Sequence, residues 1–138
     1  MRVVLDSNIL ISSLISPHGA PHNIYLAWRE KRFELITCRE QLEELRRVSR
    51  YPKIRSLVPP HSFGRLVNLL RRGTVVEMIA TKYSANDPKD AFLLDLSDTA
   101  KADYLVTGDK RAGLLQRKRV GQTRILTASV FCATALRK

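Results

Sequence analysis

The chain has 138 residues and 44% hydrophobic side chains, enough to bury the core of one domain and too many for a wholly disordered chain. Its formal net charge of +11 favours a polyanionic partner, nucleic acid or an acidic protein, over a membrane surface, with simple solubility as the alternative explanation. The sequence has no apolar run near the roughly 20 residues of a membrane span, and its N-terminus has no signal-peptide core. We therefore expect one domain over residues 1–138 in the cytoplasm, with Cys38 and Cys132 as small reduced core residues.

The first predicted strand begins almost at the start of the chain. Val3–Leu5 is a β-branched apolar run that ends at Asp6, as expected for a buried strand of a parallel sheet. A short helix over Ile9–Ile15 follows, and Pro21 suits the first turn of the next helix. The chain therefore opens as a strand followed by helices.

The second predicted strand, Phe33–Ile36, leads into a charged helix. Thr37 and Glu40 have the spacing of a capping box, which predicts that this helix begins at Thr37. A helical hairpin from Lys53 to Arg72 follows. Its apolar positions exceed what one face of a sheet can cover, which makes it a candidate interaction surface.

The third predicted strand, Thr74–Met78, precedes a polar loop. Asp87 then predicts a helix start, with Pro88 at the first helical position and Asp90 at the third. The second half of the chain continues this alternation. Its predicted strands are Tyr104–Thr107 and Arg124–Leu126, and Thr127 is predicted to cap a terminal helix. Strands that alternate with helices predict an α/β fold with a mostly parallel sheet.

Two carboxylates stand where predicted strands end. Asp6 follows the first strand and Asp109 follows the fourth. Open parallel sheets bind ligands beyond the carboxyl ends of their strands, where the strand order reverses. If the order is 3-2-1-4-5, Asp6 and Asp109 face each other across that crevice.

Two further acids are candidates on helices. Asp90 lies in a first helical turn, where interaction with the helix dipole is the alternative explanation, as it is for Asp87 at the cap. Glu44 borders the apolar stripe of the helix after the second strand, and its neighbour Glu43 is the alternative. Clustered carboxylates repel one another unless a cation lies between them, and hard oxygen ligands select Mg²⁺ or Mn²⁺.

Polar side chains accompany the strand-end acids. Ser7 and Asn8 follow Asp6, and Thr107 precedes Asp109 by two residues. These groups can orient the acids from a second shell, with turn formation and ordinary strand composition as the alternatives.

At this point the sequence resembles the PIN-domain proteins found as toxins in prokaryotic toxin–antitoxin pairs. Four segments and a weaker fifth carry the resemblance, in the family's order and approximate spacing. They are Val3-Val4-Leu5-Asp6-Ser7-Asn8, Leu42-Glu43-Glu44-Leu45, Asp87-Pro88-Lys89-Asp90-Ala91-Phe92-Leu93, Ala102-Asp103-Tyr104-Leu105-Val106-Thr107-Gly108-Asp109 and Arg124-Ile125-Leu126-Thr127. Each segment is weak alone, and four together are specific.

The resemblance implies a three-layer α/β/α sandwich with a five-stranded parallel sheet ordered 3-2-1-4-5. It also implies an Mg²⁺- or Mn²⁺-dependent endoribonuclease, in which metal-activated water attacks the phosphodiester. The family's acidic positions fall on Asp6, Glu44, Asp90 and Asp109, with Asp6, Asp90 and Asp109 as metal ligands. Its accessory positions fall on Ser7, Asn8 and Thr107. A small antitoxin and a homodimer are implied partners.

The segment after Asp109 is more basic than is usual in the family. We interpret it as an RNA-backbone contact or an antitoxin-binding surface, with a solvated loop as the alternative. Its candidate substrate-binding residues are Lys110, Arg111, Arg117, Lys118 and Arg119.

Three other functions compete with the nuclease. A receiver-type phospho-acceptor domain needs paired acids after the first strand and an Asp after the third, and this chain has only Asp6 at the first position. A haloacid-dehalogenase phosphatase needs an Asp where Asn8 stands. A non-catalytic PIN-like module that binds RNA or protein stays open.

Overall fold

The computed structural model describes residues 1–85, 87–108 and 113–137. Its strands are β1 (Arg2–Leu5), β2 (Glu34–Cys38), β3 (Thr74–Val76), β4 (Tyr104–Thr107), β5 (Arg119–Val120) and β6 (Thr123–Thr127). Its helices are α1 (Ser7–Ile15), α2 (Ala20–Arg29), α3 (Arg39–Val48), α4 (Pro52–Leu57), α5 (Pro60–Arg71), α6 (Pro88–Thr99), α7 (Leu114–Arg117) and α8 (Ala128–Thr134). The predicted alternation of strands and helices is confirmed.

The strands form one sheet in the order β3-β2-β1-β4-β6-β5. All neighbours are parallel except β5 and β6, which are antiparallel. The predicted order 3-2-1-4-5 is confirmed, with β6 as the fifth predicted strand. The predicted number of five strands is wrong, because the two residues of β5 add an edge strand after the fifth.

Side chains that alternate along the strands build two cores, one on each face of the sheet. Val3 and Leu5 of β1 face a core with helices α1, α2, α3, α5 and α8. Val4 lies between them in sequence and faces the core formed with α6 and α7. Two cores on opposite faces of one sheet make the three-layer α/β/α sandwich that the resemblance implies.

Two predicted helix caps are confirmed. Asp87 accepts a hydrogen bond from the Lys89 backbone N–H at 2.9 Å. The Thr127 hydroxyl accepts one from the Val130 backbone N–H at 3.1 Å. Both caps satisfy backbone donors that the first turn of a helix leaves without partners.

The predicted capping box at Thr37 is wrong. Thr37 belongs to β2 and is fully buried, so its hydroxyl points into the protein and donates to Gln41 Oε1 at 2.6 Å. The N-cap residue of α3 is Cys38, which makes no side-chain cap. The third strand is also shorter than predicted, because it ends at Val76 and Met78 is 87% exposed.

Both cysteines are free, Cys38 buried and Cys132 partly buried. Burial raises the pKa of the Cys38 thiol to about 12, so it stays protonated at neutral pH. Throughout the described ranges, the helices are too short or too polar to cross a membrane.

Candidate active site

The site begins where β1 and β4 end side by side. These two strands are parallel neighbours in the sheet, and the strand order reverses between them. Such a reversal opens a crevice at the carboxyl ends of the two strands. The Asp6 backbone N–H donates to the Val106 carbonyl at 2.9 Å, which continues the pairing of β1 with β4 by one residue. Asp6 is therefore held at the mouth of the crevice.

Both carboxylate oxygens of Asp6 are oriented by the chain. Oδ2 accepts a hydrogen bond from the buried Thr107 hydroxyl at 3.0 Å. Oδ1 accepts one from the Asn8 backbone N–H at 3.2 Å, which makes Asp6 the N-cap of α1. The positive end of the α1 dipole further stabilises the negative charge of Asp6. Thr107 thus contacts Asp6 through its hydroxyl, whereas Asn8 contributes its backbone and exposes its side chain.

Glu44 reaches the same crevice through Ser7. The buried Ser7 hydroxyl donates to Glu44 Oε1 at 2.5 Å, and the other oxygen, Oε2, lies 3.1 Å from Lys89 Nζ. The Glu44 side chain is 19% exposed, while Glu43 is exposed to solvent. The structure therefore brings Glu44 rather than Glu43 next to the residues that follow β1.

Lys89 carries a positive charge into this group of acids. Its hydrogen bond to Glu44, followed by the Glu44 charge, raises the pKa of the Lys89 ammonium. The Lys89 side chain is 70% exposed, so solvent screens most of this attraction. The ion pair joins the first turn of α6 to α3 across the crevice.

Gln41 supports this arrangement from beneath, and sequence reasoning missed it. Its side chain is 2% exposed, and its amide nitrogen donates to the Leu5 carbonyl at 2.7 Å and to Ser7 Oγ at 3.3 Å. Its amide oxygen accepts from Thr37. Because Ser7 Oγ accepts from Gln41, the Ser7 proton is directed to Glu44. No local pattern distinguishes this Gln from a solvated one on an amphipathic helix.

Asp90 lies in the first turn of α6 and is partly buried. Gly113, on the far side of the segment 109–112, comes close to it. A Cβ added at Gly113 would lie 3.2 Å from Asp90 Oδ2, and Gly113 has a φ of +135°, which L side chains rarely adopt. Glycine at this position has no side chain that would crowd the Asp90 carboxylate.

Three predicted site residues, Asp109, Lys110 and Arg111, lie outside the described residues. The other predicted substrate-binding residues lie at the end of α7 and just after it, and they line no part of the crevice near Asp6 and Glu44 that the structure describes. Arg117 stacks over the Tyr83 ring at 5.6 Å, while Lys118 and Arg119 are exposed. The substrate-binding role of this segment stays a prediction.

Asp95 is a second polar residue that sequence reasoning missed. It is 6% exposed and accepts hydrogen bonds from the backbone N–H groups of Lys82 and Tyr83, both at 2.9 Å. These bonds hold the chain before α6 against that helix. The position of Asp95 between Leu94 and Leu96, in an otherwise apolar stretch, was the available signal. Asp103, just before β4, accepts a hydrogen bond from the Arg2 backbone N–H at 2.7 Å, which is a structural contact.

The crevice is an acid cleft of about 370 Å³. Its charged lining residues are Asp6, Glu40, Glu43, Glu44, Arg47 and Lys89. Carboxylates outnumber cations there, in a chain with 24 Lys and Arg against 13 Asp and Glu. The oxygen donors of Asp6 and Asp90 are the type that Mg²⁺ and Mn²⁺ prefer. Within the described ranges, which leave out Asp109, no three His, Cys, Asp or Glu side chains are grouped as a metal site.

Comparison with known proteins adds a family and a fold. Residues 2–111 match the family described as PIN domain. A search of curated protein sequences found no match. Among solved structures, the chain is similar to one described as VapBC2 from Rickettsia felis bound to a DNA fragment from their promoter, with a TM-score of 0.61 and 17% identity. That similarity covers 92% of this chain and 98% of the other, and at this identity it shows a shared fold.

Proposed function

The chain belongs to the PIN-domain family, and we propose that it is a metal-dependent endoribonuclease that hydrolyses RNA phosphodiesters. The observation that carries the proposal is the placement of Asp6 and Glu44 at the switch point of the sheet. Thr107 orients Asp6 from the neighbouring strand end at 3.0 Å, and Ser7, the next residue, holds Glu44 at 2.5 Å. The carboxylates of this cleft suit a bound metal cation, and the net charge of +11 on the whole chain favours a polyanionic substrate such as RNA.

We assign the residue roles as follows. Asp6 and Asp90 hold Mg²⁺ or Mn²⁺ together with Asp109, which lies outside the described residues. A divalent cation bound there supplies charge neutralisation at the phosphodiester and activation of water. Thr107 fixes the direction of Asp6 Oδ2, and Ser7 fixes Glu44 beside it. Asn8 fixes Oδ1 of Asp6 through its backbone N–H.

The substrate and partner assignments form a second part of the proposal. The basic residues that follow Asp109 in the sequence contact the RNA backbone, namely Lys110, Arg111, Arg117, Lys118 and Arg119. The similar solved structure is described as a VapBC2 complex on promoter DNA. By analogy, residues 1–138 form a single cytoplasmic domain, a VapC-type toxin that dimerises and pairs with a small antitoxin.

The test is RNA cleavage by purified protein, with Asp6→Asn as the variant and Asp103→Asn as the matched control. Asp103 flanks β4 at its opposite end and exposes its side chain, so the same chemical change is made outside the cleft. We expect the parent protein and Asp103→Asn to cleave a labelled RNA pool with Mg²⁺ or Mn²⁺ and to stop in EDTA. Asp6→Asn loses at least about 100-fold in rate, a loss of roughly 2.7 kcal/mol in transition-state stabilisation, with an unchanged circular dichroism spectrum.

Two results contradict the proposal. If Asp6→Asn cleaves as fast as the parent, the site assignment is wrong. If the parent binds RNA tightly but cleaves none of several substrates with either metal, the chain is a binding module instead.

A further inference from the structure

A second concave surface lies between helices α2 and α5, away from the acid cleft. It consists of two neighbouring cavities, of about 710 Å³ and about 250 Å³, which His61 and Arg65 both line. Its lining includes the basic and aromatic residues His22, Tyr25, Arg29, His61, Arg65 and Arg72. We refer to this surface as the α2–α5 groove.

The charges of the α2–α5 groove are all of one sign. Arg29, Arg65 and Arg72 line it, and no described carboxylate does. Across residues 1–85, 87–108 and 113–137, the ion pairs join other residues and leave these three arginines out. Like charges that line one concave surface focus a positive potential there, which attracts an anion.

The arginines are spread along the groove instead of converging on one point. Arg65 and Arg72 are seven residues apart at α5, about 10.5 Å along a helix axis. Arg29 lies at the end of the facing helix, α2. This spacing suits a linear polyanion better than a single phosphate.

Aromatic side chains accompany the charges. His22 and Tyr25 stack with their ring centroids 6.4 Å apart and an interplanar angle of 22°, and both line the groove. Trp28 packs edge-on against Tyr25, with ring centroids 5.9 Å apart, and this contact restricts the Tyr25 ring. A cationic groove with aromatic rings in its wall is the arrangement that binds single-stranded nucleic acid, because bases stack on the rings while arginines follow the phosphates.

Helix α1 links the groove to the acid cleft. Asp6 caps the N-terminus of α1, while Ser13, on the same helix, lines the groove. Ser13 follows Ser7 by six residues, a rise of about 9 Å. One end of α1 therefore borders the acid cleft, and its other half borders the groove.

We propose that the α2–α5 groove binds the backbone and bases of single-stranded RNA, outside the acid cleft. The proposal rests on the proposed function only for the choice of RNA as the polyanion. An acidic polypeptide matches the charges of the groove but makes no use of the stacked rings, so RNA fits the groove better.

The experiment measures binding in an Asp6→Asn background, which keeps RNA intact. Arg65→Gln/Arg72→Gln is the test variant. Arg50→Gln/Arg124→Gln is the matched control, because both arginines are exposed and line neither part of the groove. Fluorescence anisotropy gives Kd at several salt concentrations for a labelled RNA of about 12 nucleotides, within the roughly 4–16 nucleotides that one known single-strand-binding fold covers.

We expect the test variant to bind RNA at least about tenfold more weakly than the control. The slope of log K against log salt should fall by about 1.4, since each lost phosphate contact on a single strand contributes about 0.7. Equal Kd and slope in test and control variants overturn the proposal. It is also overturned if the test variant keeps its RNA affinity and loses affinity for poly-L-glutamate, because the groove then docks an acidic protein.

Failure of the nuclease function has a separate signature. If the Asp6-containing protein never cleaves RNA but the groove variant still loses RNA affinity and salt slope, the groove stands and the catalytic proposal fails. If cleavage depends on Asp6 while the groove variant binds RNA like its control, the catalytic proposal stands and the groove proposal fails.

Discussion

In the acid cleft Asp6, Ser7, Glu44 and Lys89 have partners within the chain, whereas the arginines of the α2–α5 groove are exposed to solvent. Glu44 contacts both Ser7 and Lys89, and the Ser7 hydroxyl is fixed in turn by Gln41. Arg65 and Arg72 belong to no ion pair found among the described residues. A surface fixed by buried hydrogen bonds can hold a compact ion in one geometry. A surface of exposed arginines suits a long partner, because each contact adds a small, salt-dependent amount.

The largest expected effect on folding comes from breaking the buried support of the cleft. Gln41→Met leaves the Thr37 hydroxyl, the Leu5 carbonyl and the Ser7 hydroxyl with fewer partners. Because a buried polar group without its partner costs about 1–3 kcal/mol, we expect the free energy of unfolding to fall by about 3 kcal/mol in urea titrations.

The matched control for this change is Gln122→Met. Gln122 is exposed and donates one hydrogen bond, to the Lys101 carbonyl. Its replacement should cost less than about 1 kcal/mol. If both variants unfold at the same urea concentration as the parent, Gln41 does not support the cleft.

An intermediate effect is expected where the chain passes Asp90. Gly113→Ala puts a Cβ 3.2 Å from Asp90 Oδ2 at a φ of +135°, so either the backbone or the carboxylate must move. We expect a loss of about 1–2 kcal/mol in stability and a higher Mg²⁺ concentration for half-maximal RNA cleavage.

Gly64→Ala is the control for Gly113→Ala. A Cβ at Gly64 has no neighbour within 4 Å, and Gly64 lies within α5. Alanine there should raise stability by up to about 1 kcal/mol and leave the Mg²⁺ requirement unchanged. The same stability change in both variants would mean that Asp90 is not constrained by Gly113.

The smallest effect is expected at the rim of the cleft, where the pairing is exposed. Lys89→Met removes the 3.1 Å ion pair with Glu44, and solvent screening keeps the expected cost below ~1 kcal/mol at neutral pH. Glu44 raises the pKa of Lys89 above 10.5, so the folded state holds this proton more tightly than the unfolded chain does. The contribution is fully present below pH 10.5 and is lost as the pH rises through the folded-state value.

Urea unfolding at pH 7 and pH 11 measures this difference, with Lys53→Met at an exposed position of α4 as the control. The difference in the free energy of unfolding between the parent and Lys89→Met should be smaller at pH 11 than at pH 7. A gap that widens at pH 11 contradicts the assigned direction.

The sequence predicts the parts of the site that depend on chain direction and local caps. A β-branched run before Asp6 and an apolar run before Thr107 place both residues at strand ends, and parallel pairing brings those ends together. Asp87 and Thr127 also fulfil local rules, since each caps the helix that follows it.

Tertiary contacts decide the parts that sequence reasoning missed. Thr37 has the spacing of a cap, but it is buried in β2, and its hydroxyl donates to Gln41. In the sequence, Gln41 resembles a solvated helix residue, because the groups that bury and bind its side chain, such as the Leu5 carbonyl and Ser7, lie far away along the chain. The two residues of β5 are too few to show a strand pattern in a basic segment of the sequence. They pair with β6 across a tight turn at Gly121, where φ is +56°.

The short outer strands of the sheet have a consequence for behaviour at high concentration. β3 has three residues and β5 has two, so each open edge offers few backbone groups to a strand of another molecule. At the β5 edge, Arg119 lies directly opposite Arg124, which adds positive charge where a second sheet would have to approach. Edge-to-edge stacking into aggregates is thus opposed by both geometry and electrostatic repulsion, so a strongly basic protein can accumulate without its own sheets acting as templates for one another.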